Sequence, residues 1–259
     1  MGLFDKKYCD ICGEKIGLLG NRKLEDGNLC KNCAKKLSPW FDERRHSTVE
    51  QIKDQLAYRE ENEKAVDEFN ITRTFGDNYL ICLDEDKHKF LVSSTKDIHT
   101  ENPDVLDYSQ VTGCDLDVSE NRFEEMREDK DGNQVSYNPR RYRYEYDFYM
   151  VIRVNHPWFD DMRVKLNNAR VEVYPPASRG GFFNMSTASP GTQSYEYKQY
   201  EDMGREIKDA LMSARQQVRD EAAAAAAPKA AVTCPYCGAT TTPDASGRCE
   251  FCGGAITMQ

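Results

Sequence analysis

Four Cys-x-x-Cys pairs constrain this chain more than any other feature of its 259 residues. Cys9, Cys12, Cys30 and Cys33 form one set near the start, and Cys234, Cys237, Cys249 and Cys252 form another near the end. Two intervening residues let the backbone turn back so that both sulfurs of a pair reach one ion. Two pairs then supply the four ligands that Zn²⁺ takes in a tetrahedron, with sulfur at about 2.3 Å. Each set is expected to hold one structural Zn²⁺. The competing readings are a disulfide or a redox pair, but a redox Cys-x-x-Cys stands alone within a βαβ pattern, and none is visible in this sequence.

The surroundings of each set differ. Gly13 follows Cys12 where a knuckle needs a positive φ. Lys23 to Leu29 reads as a strand, a turn at Asp26-Gly27 and a return into Cys30, after which Ala34-Lys35-Lys36-Leu37 starts a helix. The second pair then sits at a helix N-terminus, whose dipole favours thiolates. Knuckle, hairpin, helix is the order of a treble clef. At the other end, Cys234-Pro235-Tyr236-Cys237-Gly238 and Cys249-Glu250-Phe251-Cys252-Gly253 are near copies joined by a Thr-rich segment. Two knuckles facing one ion make a zinc ribbon. So small a module buries little apolar surface, and the metal is expected to supply most of its stability.

Between the ends the pattern predicts an α+β chain of several modules: a zinc finger over 1–46, a spacer helix over 47–69, an antiparallel β domain with a C-terminal helix over 70–220, an Ala-rich hinge over 221–231 and the ribbon over 232–259. Ser47 and Glu50 match a capping box for the first helix. Val49, Ile52 and Leu56 lie at one end and Val66 and Phe69 at the other, with the charged run Tyr58 to Lys64 between. At about 1.5 Å per residue this run covers about 10 Å. It reads either as a spacer solvated in its middle or as an ordinary surface helix. From Arg141 to Val154, even positions carry Tyr142, Tyr144, Tyr146, Phe148, Met150, Ile152 and Val154, and most odd positions are charged. That alternation predicts a long strand with one apolar face. Tyr79–Leu83, Lys89–Ser93, Gln110–Val118, Met162–Leu166 and Val171–Tyr174 are further strands, with hairpin turns at 84–87 and Asp131-Gly132. A Gly, Ser and Pro loop around 177–193 precedes a helix over about 194–220, with the stripe Tyr200, Met203, Ile207, Leu211, Ala214 and Val218. Gly204 within it costs about 1 kcal/mol relative to Ala. The alanines after Glu221 can extend the helix until Pro228 stops it. Cys82 and Cys114, flanked by strand residues, read as small buried hydrophobes.

Charge and motifs narrow the function. Charged residues make up 31% of the chain and the formal charge is −9, before thiolates are counted. Phosphate binding needs concentrated Lys and Arg, so this balance argues against nucleic acid. Met1-Gly2-Leu3-Phe4-Asp5-Lys6-Lys7 carries no apolar signal run, and Lys6 stands where a myristoylation motif wants Ser or Thr. A cytoplasmic location is expected, where thiols stay reduced and favour metal. His46, His88, His99 and His156 lie in unrelated contexts, and the sequence contains no Walker loop, G-x-S-x-G or H-E-x-x-H. No enzymatic activity is expected.

The segment Cys9-Asp10-Ile11-Cys12-Gly13-Glu14-Lys15-Ile16-Gly17-Leu18-Leu19-Gly20, with Leu24-Glu25-Asp26-Gly27 before Cys30, resembles a family of bacterial zinc fingers catalogued as domain of unknown function 4428. The resemblance implies zinc binding and bacterial origin, and no activity. The middle resembles bacterial pleckstrin-homology-like domains in outline, several antiparallel strands followed by one amphipathic helix. The end resembles the zinc ribbons that close many bacterial proteins. Together these readings predict a non-enzymatic interaction or scaffold protein whose partner is a protein. The alternative is a nucleic-acid or anionic membrane-surface binder, the latter through Arg140, Arg141 and Arg143, which otherwise lie on the polar face of a strand.

Overall fold

The computed structural model describes residues 6–175, 190–226, 231–242, 244 and 247–256. The loop read around 177–193 lies largely outside them. The chain divides into two compact units, Met1–Gln216 and Gln217–Gln259.

The first unit opens with two small hairpins. β1 (Lys7–Tyr8) pairs with β2 (Lys15–Ile16), and β3 (Arg22–Lys23) pairs with β4 (Asn28–Leu29). A single helical turn, α1 (Lys31–Ala34), follows. The long helix α2 (Val49–Asp67) then leaves the module. Its N-cap is Thr48, not Ser47: Thr48 Oγ1 accepts from Gln51 N (3.3 Å), and the Gln51 side chain accepts from Thr48 N (2.9 Å). Ser47 is diverted because its hydroxyl donates to the Glu43 carbonyl (3.0 Å). Asp26, in the β3–β4 turn, accepts from Val49 N (2.8 Å), so the hairpin also caps α2. Gly27 beside it has no room for a side chain, since a Cβ there would lie 2.5 Å from Val49 Cγ2. Ile52 on α2 completes the module core of Ile16, Leu24, Leu29 and Leu37.

The charged middle of α2 is solvated on one face, where Glu60, Glu61, Glu63 and Lys64 are exposed, but Arg59 and Asn62 on the other face are buried. Arg59 and Asp104 form an ion pair (2.7 Å) with side chains 8% and 0% exposed. Asp104 also accepts from Ser38 Oγ (2.7 Å) and Tyr58 OH (3.0 Å). Arg59 donates further to the carbonyls of Lys36 and Asn102. Asn62 donates to Pro103 O (2.8 Å) and accepts from Val105 N (2.9 Å). The run read as a spacer is thus a polar joint that satisfies its buried groups reciprocally. Beyond it, Val66 packs with Cys82, Leu91 and Ile98 on the sheet.

β5 (Arg73–Phe75), β6 (Leu80–Asp84), β7 (Lys89–Ser93) and β8 (Val105–Asp107) make an antiparallel meander, with the short helix α3 (Ile98–Glu101) before β8. A second sheet is built on β10 (Gln134–Val154). β9 (Val111–Glu128) pairs along one edge, and β11 (Asp161–Lys165) and β12 (Val171–Val173) share the other. Tyr146, Phe148, Met150, Ile152 and Val154 are buried, as the alternation predicts. On the opposite face Glu145 and Asp147 are also buried, because Arg143, Arg170 and Lys165 cover and pair with them. Both long strands extend beyond the sequence expectation. Their distal halves form an exposed two-stranded ribbon, which carries Tyr137 to Arg140 as an irregularity between Ser136 and Arg141.

Helix α4 (Tyr195–Ala226) lies on this sheet through Tyr197 against Tyr146 and Phe148, and through buried Ile207 and Leu211. Gly204 is a contact rather than a defect: a Cβ there would meet Leu116 Cδ1 at 2.7 Å. The helix is continuous through Ala226, so the stretch read as a hinge over 221–231 is helical in its first half. Alanine is the strongest helix former, which is reason enough. Residues 227–230 lie outside the described chain. In the second unit β13 (Val232–Thr233) pairs with β14 (Thr240–Thr241).

Replacing Arg59 with Met strands the Asp104 carboxylate in the joint. The expected cost is about 3–5 kcal/mol, and the double variant Arg59→Met/Asp104→Leu should recover most of it. Urea denaturation of the metal-loaded chain, followed by circular dichroism, measures both.

Candidate metal centres

Three of the four pairs use one backbone device. The Cys9 N–H donates to Glu14 O (2.9 Å), and Gly13 N–H donates back to Cys9 O (2.8 Å). Cys234 and Cys249 repeat both bonds with Ala239 and Gly238, and with Gly254 and Gly253. The glycines that close the turns have φ of 73°, 71° and 70°, the left-handed region that explains their place after each second cysteine. The fourth pair is built differently. Cys30 is the N-cap of α1, and its Sγ accepts from Cys33 N (3.3 Å).

In each set the four sulfurs lie within 4.8 Å of one another. Cys12 Sγ is 3.7 Å from Cys30 Sγ, and the second set shows 3.6 Å for Cys234 to Cys252 and 3.7 Å for Cys237 to Cys249. A tetrahedron with sulfur about 2.3 Å from its centre has edges of about 3.8 Å. The spacing therefore fits one metal ion per set and is far too long for a disulfide. All eight cysteines named from the sequence come together in these two groups.

The first group lies in a known pattern. Residues 7–55 match the family model described as Domain of unknown function (DUF4428). The DUF4428 match reaches into α2 as far as the turns that hold Ile52, in line with the core that Ile52 completes. Neither a curated protein nor a solved structure matches the chain significantly. Within the DUF4428 segment the Gly17–Gly20 turn presents Leu18 and Leu19 to solvent, 90% and 89% exposed.

The electrostatics of both groups call for a cation. Burial opposes ionisation of Cys9, but the N–H groups of Cys12, Cys30 and Ile11 outweigh it and bring the thiol down to about 7. Cys234 behaves alike, at about 7, through the N–H groups of Cys237 and Tyr236 acting against burial. Their neighbours go the other way. Burial and the adjoining sulfurs raise Cys33. At Cys252 the Gly254 N–H lowers the pKa, yet Cys237, burial and the other sulfurs prevail and push it up to about 12. Four thiolates cannot share so small a volume without a positive charge at its centre.

Cys82 and Cys114 sit far from these groups in sequence and are buried in the β domain. Burial raises both, Cys114 to about 12, which leaves inert thiols.

Cys12→Ser or Cys30→Ser is expected to remove one metal equivalent and unfold the first module, because three thiolates bind poorly. Cys82→Ala should keep the full metal content and cost on the order of 1 kcal/mol. Metal stoichiometry and melting temperature of each variant check the contrast; loss of metal from Cys82→Ala would break the ligand assignment.

Proposed function

We propose that the chain is a non-enzymatic interaction scaffold stapled by two structural Zn²⁺ ions. One observation carries this reading: each group brings together four protein sulfurs, enough to complete a tetrahedral Zn²⁺ without water or substrate. A catalytic zinc keeps a position open for water or substrate, whereas a Cys₄ site is closed. Thiolate ligands at tetrahedral spacing suit Zn²⁺, and reduced thiols accord with a cytoplasmic setting. We read the knuckle, hairpin and helix of residues 7–34 as a treble clef. We read the meander, second sheet and following helix as pleckstrin-homology-like.

The choice of a protein partner over a membrane surface rests on how the arginines are engaged. Arg143 pairs with Glu145 (2.8 Å) and Glu172 (3.7 Å), and Arg140 with Glu124 (3.5 Å). Arg141 stacks on Tyr137 (4.4 Å). Cations dispersed among carboxylates do not make a phosphate-binding pocket. The exposed pair Leu18 and Leu19 favours a protein contact, since two adjacent leucines on a fixed turn offer about 3–6 kcal/mol when buried. Among the described residues no helix is long and apolar enough to cross a membrane.

Protein purified without added metal should carry two equivalents of zinc by elemental analysis; iron at similar levels, or less than one zinc, would sink the metal assignment. For the scaffold role, cross-linking with mass spectrometry should capture a stoichiometric protein partner. Leu18→Ser/Leu19→Ser should reduce that capture at unchanged zinc content. Preferential sedimentation with anionic vesicles instead would favour the membrane reading.

A further inference from the structure

The chain has two tryptophans, and both line one cleft of about 500 Å³. Trp40 lies on the segment after α1, and Trp158 on the loop between β10 and β11. Each is anchored from behind. The Trp40 backbone N–H donates to Ser38 Oγ (3.2 Å), whose own proton goes to buried Asp104. The Trp158 ring meets Phe41 edge-on (5.8 Å), and the Trp158 backbone N–H donates to His156 Nδ1 (3.4 Å). His156 is held between Tyr58 (5.1 Å) and Phe159 (4.2 Å). Both tryptophans remain partly exposed, and Ser38 and Tyr58 tie the cleft to the Asp104 joint.

The charge on the cleft walls is mostly negative. Asp42 and Glu43 come from the first segment, Asp160 and Asp161 from the second. Among the described residues none of these four carboxylates has an ion-pair partner. Arg163, which also lines the cleft, is committed to Asp117 (2.8 Å) and stacks over Tyr149 (3.5 Å). Burial lowers the His156 pKa, with Asp104 opposing, so the imidazole adds no positive charge at neutral pH.

We propose that this cleft binds a lysine or arginine side chain from a basic segment of a partner protein. Indole faces attract cations through their quadrupole, tryptophan most strongly, and unpaired carboxylates at the rim supply the countercharge. An anion meets repulsion here, and a neutral apolar group leaves four carboxylates uncompensated. The choice of a protein segment as the source of the cation rests on the scaffold reading; the preference for a cation does not.

Because both tryptophans line the cleft, tryptophan emission, excited at wavelengths where the 14 tyrosines do not absorb, reports on it. The zinc-loaded full-length chain is titrated with hexalysine, hexaglutamate and tetramethylammonium. Hexalysine should give a saturable change in emission that weakens with salt, and hexaglutamate none. Asp160→Asn/Asp161→Asn should weaken hexalysine at least tenfold. Glu124→Gln/Glu125→Gln, the same loss of charge on the ribbon, should leave it unchanged. Equal weakening by the two variants, or no response to any cation, overturns the cleft as a cation site. A response to tetramethylammonium alone overturns the peptide assignment while leaving the scaffold reading to its own cross-linking test. Melting curves of both variants should overlay the parent, since all four positions are on exposed or half-exposed surface.

Discussion

A guanidinium and a carboxylate withdrawn from water are stable only when nearly every remaining donor and acceptor finds a partner. Arg59 and Asp104 meet that condition by drawing partners from separate parts of the chain. Ser38 and the Lys36 carbonyl come from the segment after the first metal site, Tyr58 from α2 itself, and Asn102 from the turn before β8. None of these groups can be satisfied unless the others are in place. The exit of the finger, the long helix and the β domain therefore acquire one mutual geometry, and Ser38 and Tyr58 tie the tryptophan cleft to it.

The two metal centres solve the same problem of size with different reserves. Around the first, Ile16, Leu24, Leu29, Leu37 and Ile52 add a small apolar core. Around the second, the described core beyond the cysteines is Ile256 with Val232 packed against it. The same knuckle geometry thus has apolar support at one end and almost none at the other. The contribution of the ion to stability should be correspondingly greater in the last module.

What the sequence disclosed follows from the range of the interactions involved. The eight ligands were legible because each pair is local: in three of the four, five residues contain both sulfurs and the glycine that closes the turn, and in the fourth the pair opens a helical turn. The buried face of β10 was legible from its period of two, and buried Ile207 and Leu211 on α4 from a period near 3.6, with the rest of that stripe half-buried. The polar joint was not, because the criterion for a buried helix face is apolar periodicity, and Arg59 and Asn62 are buried through partners 40 or more positions away. The capping box slipped by one residue because Ser47 with Glu50 and Thr48 with Gln51 fit the same pattern; only the competing bond to Glu43 separates them. The distal ribbon carries polar residues on both faces, so alternation fades while pairing continues. The cleft joins two tryptophans whose proximity no local pattern encodes.

Past the end of its pairing with β12 at Tyr144, β10 is bonded to β9 alone, and β9 has no other neighbour among the described residues. The ribbon therefore offers two open edges, each a row of backbone donors and acceptors that another chain could extend. Its side chains discourage that. Glutamates crowd the β9 strand and arginines the β10 strand, and the irregularity from Tyr137 to Arg140 breaks the even repeat of the rungs. A second copy approaching through the same edge would meet like charges, and the irregularity on β10 mismatches the register there.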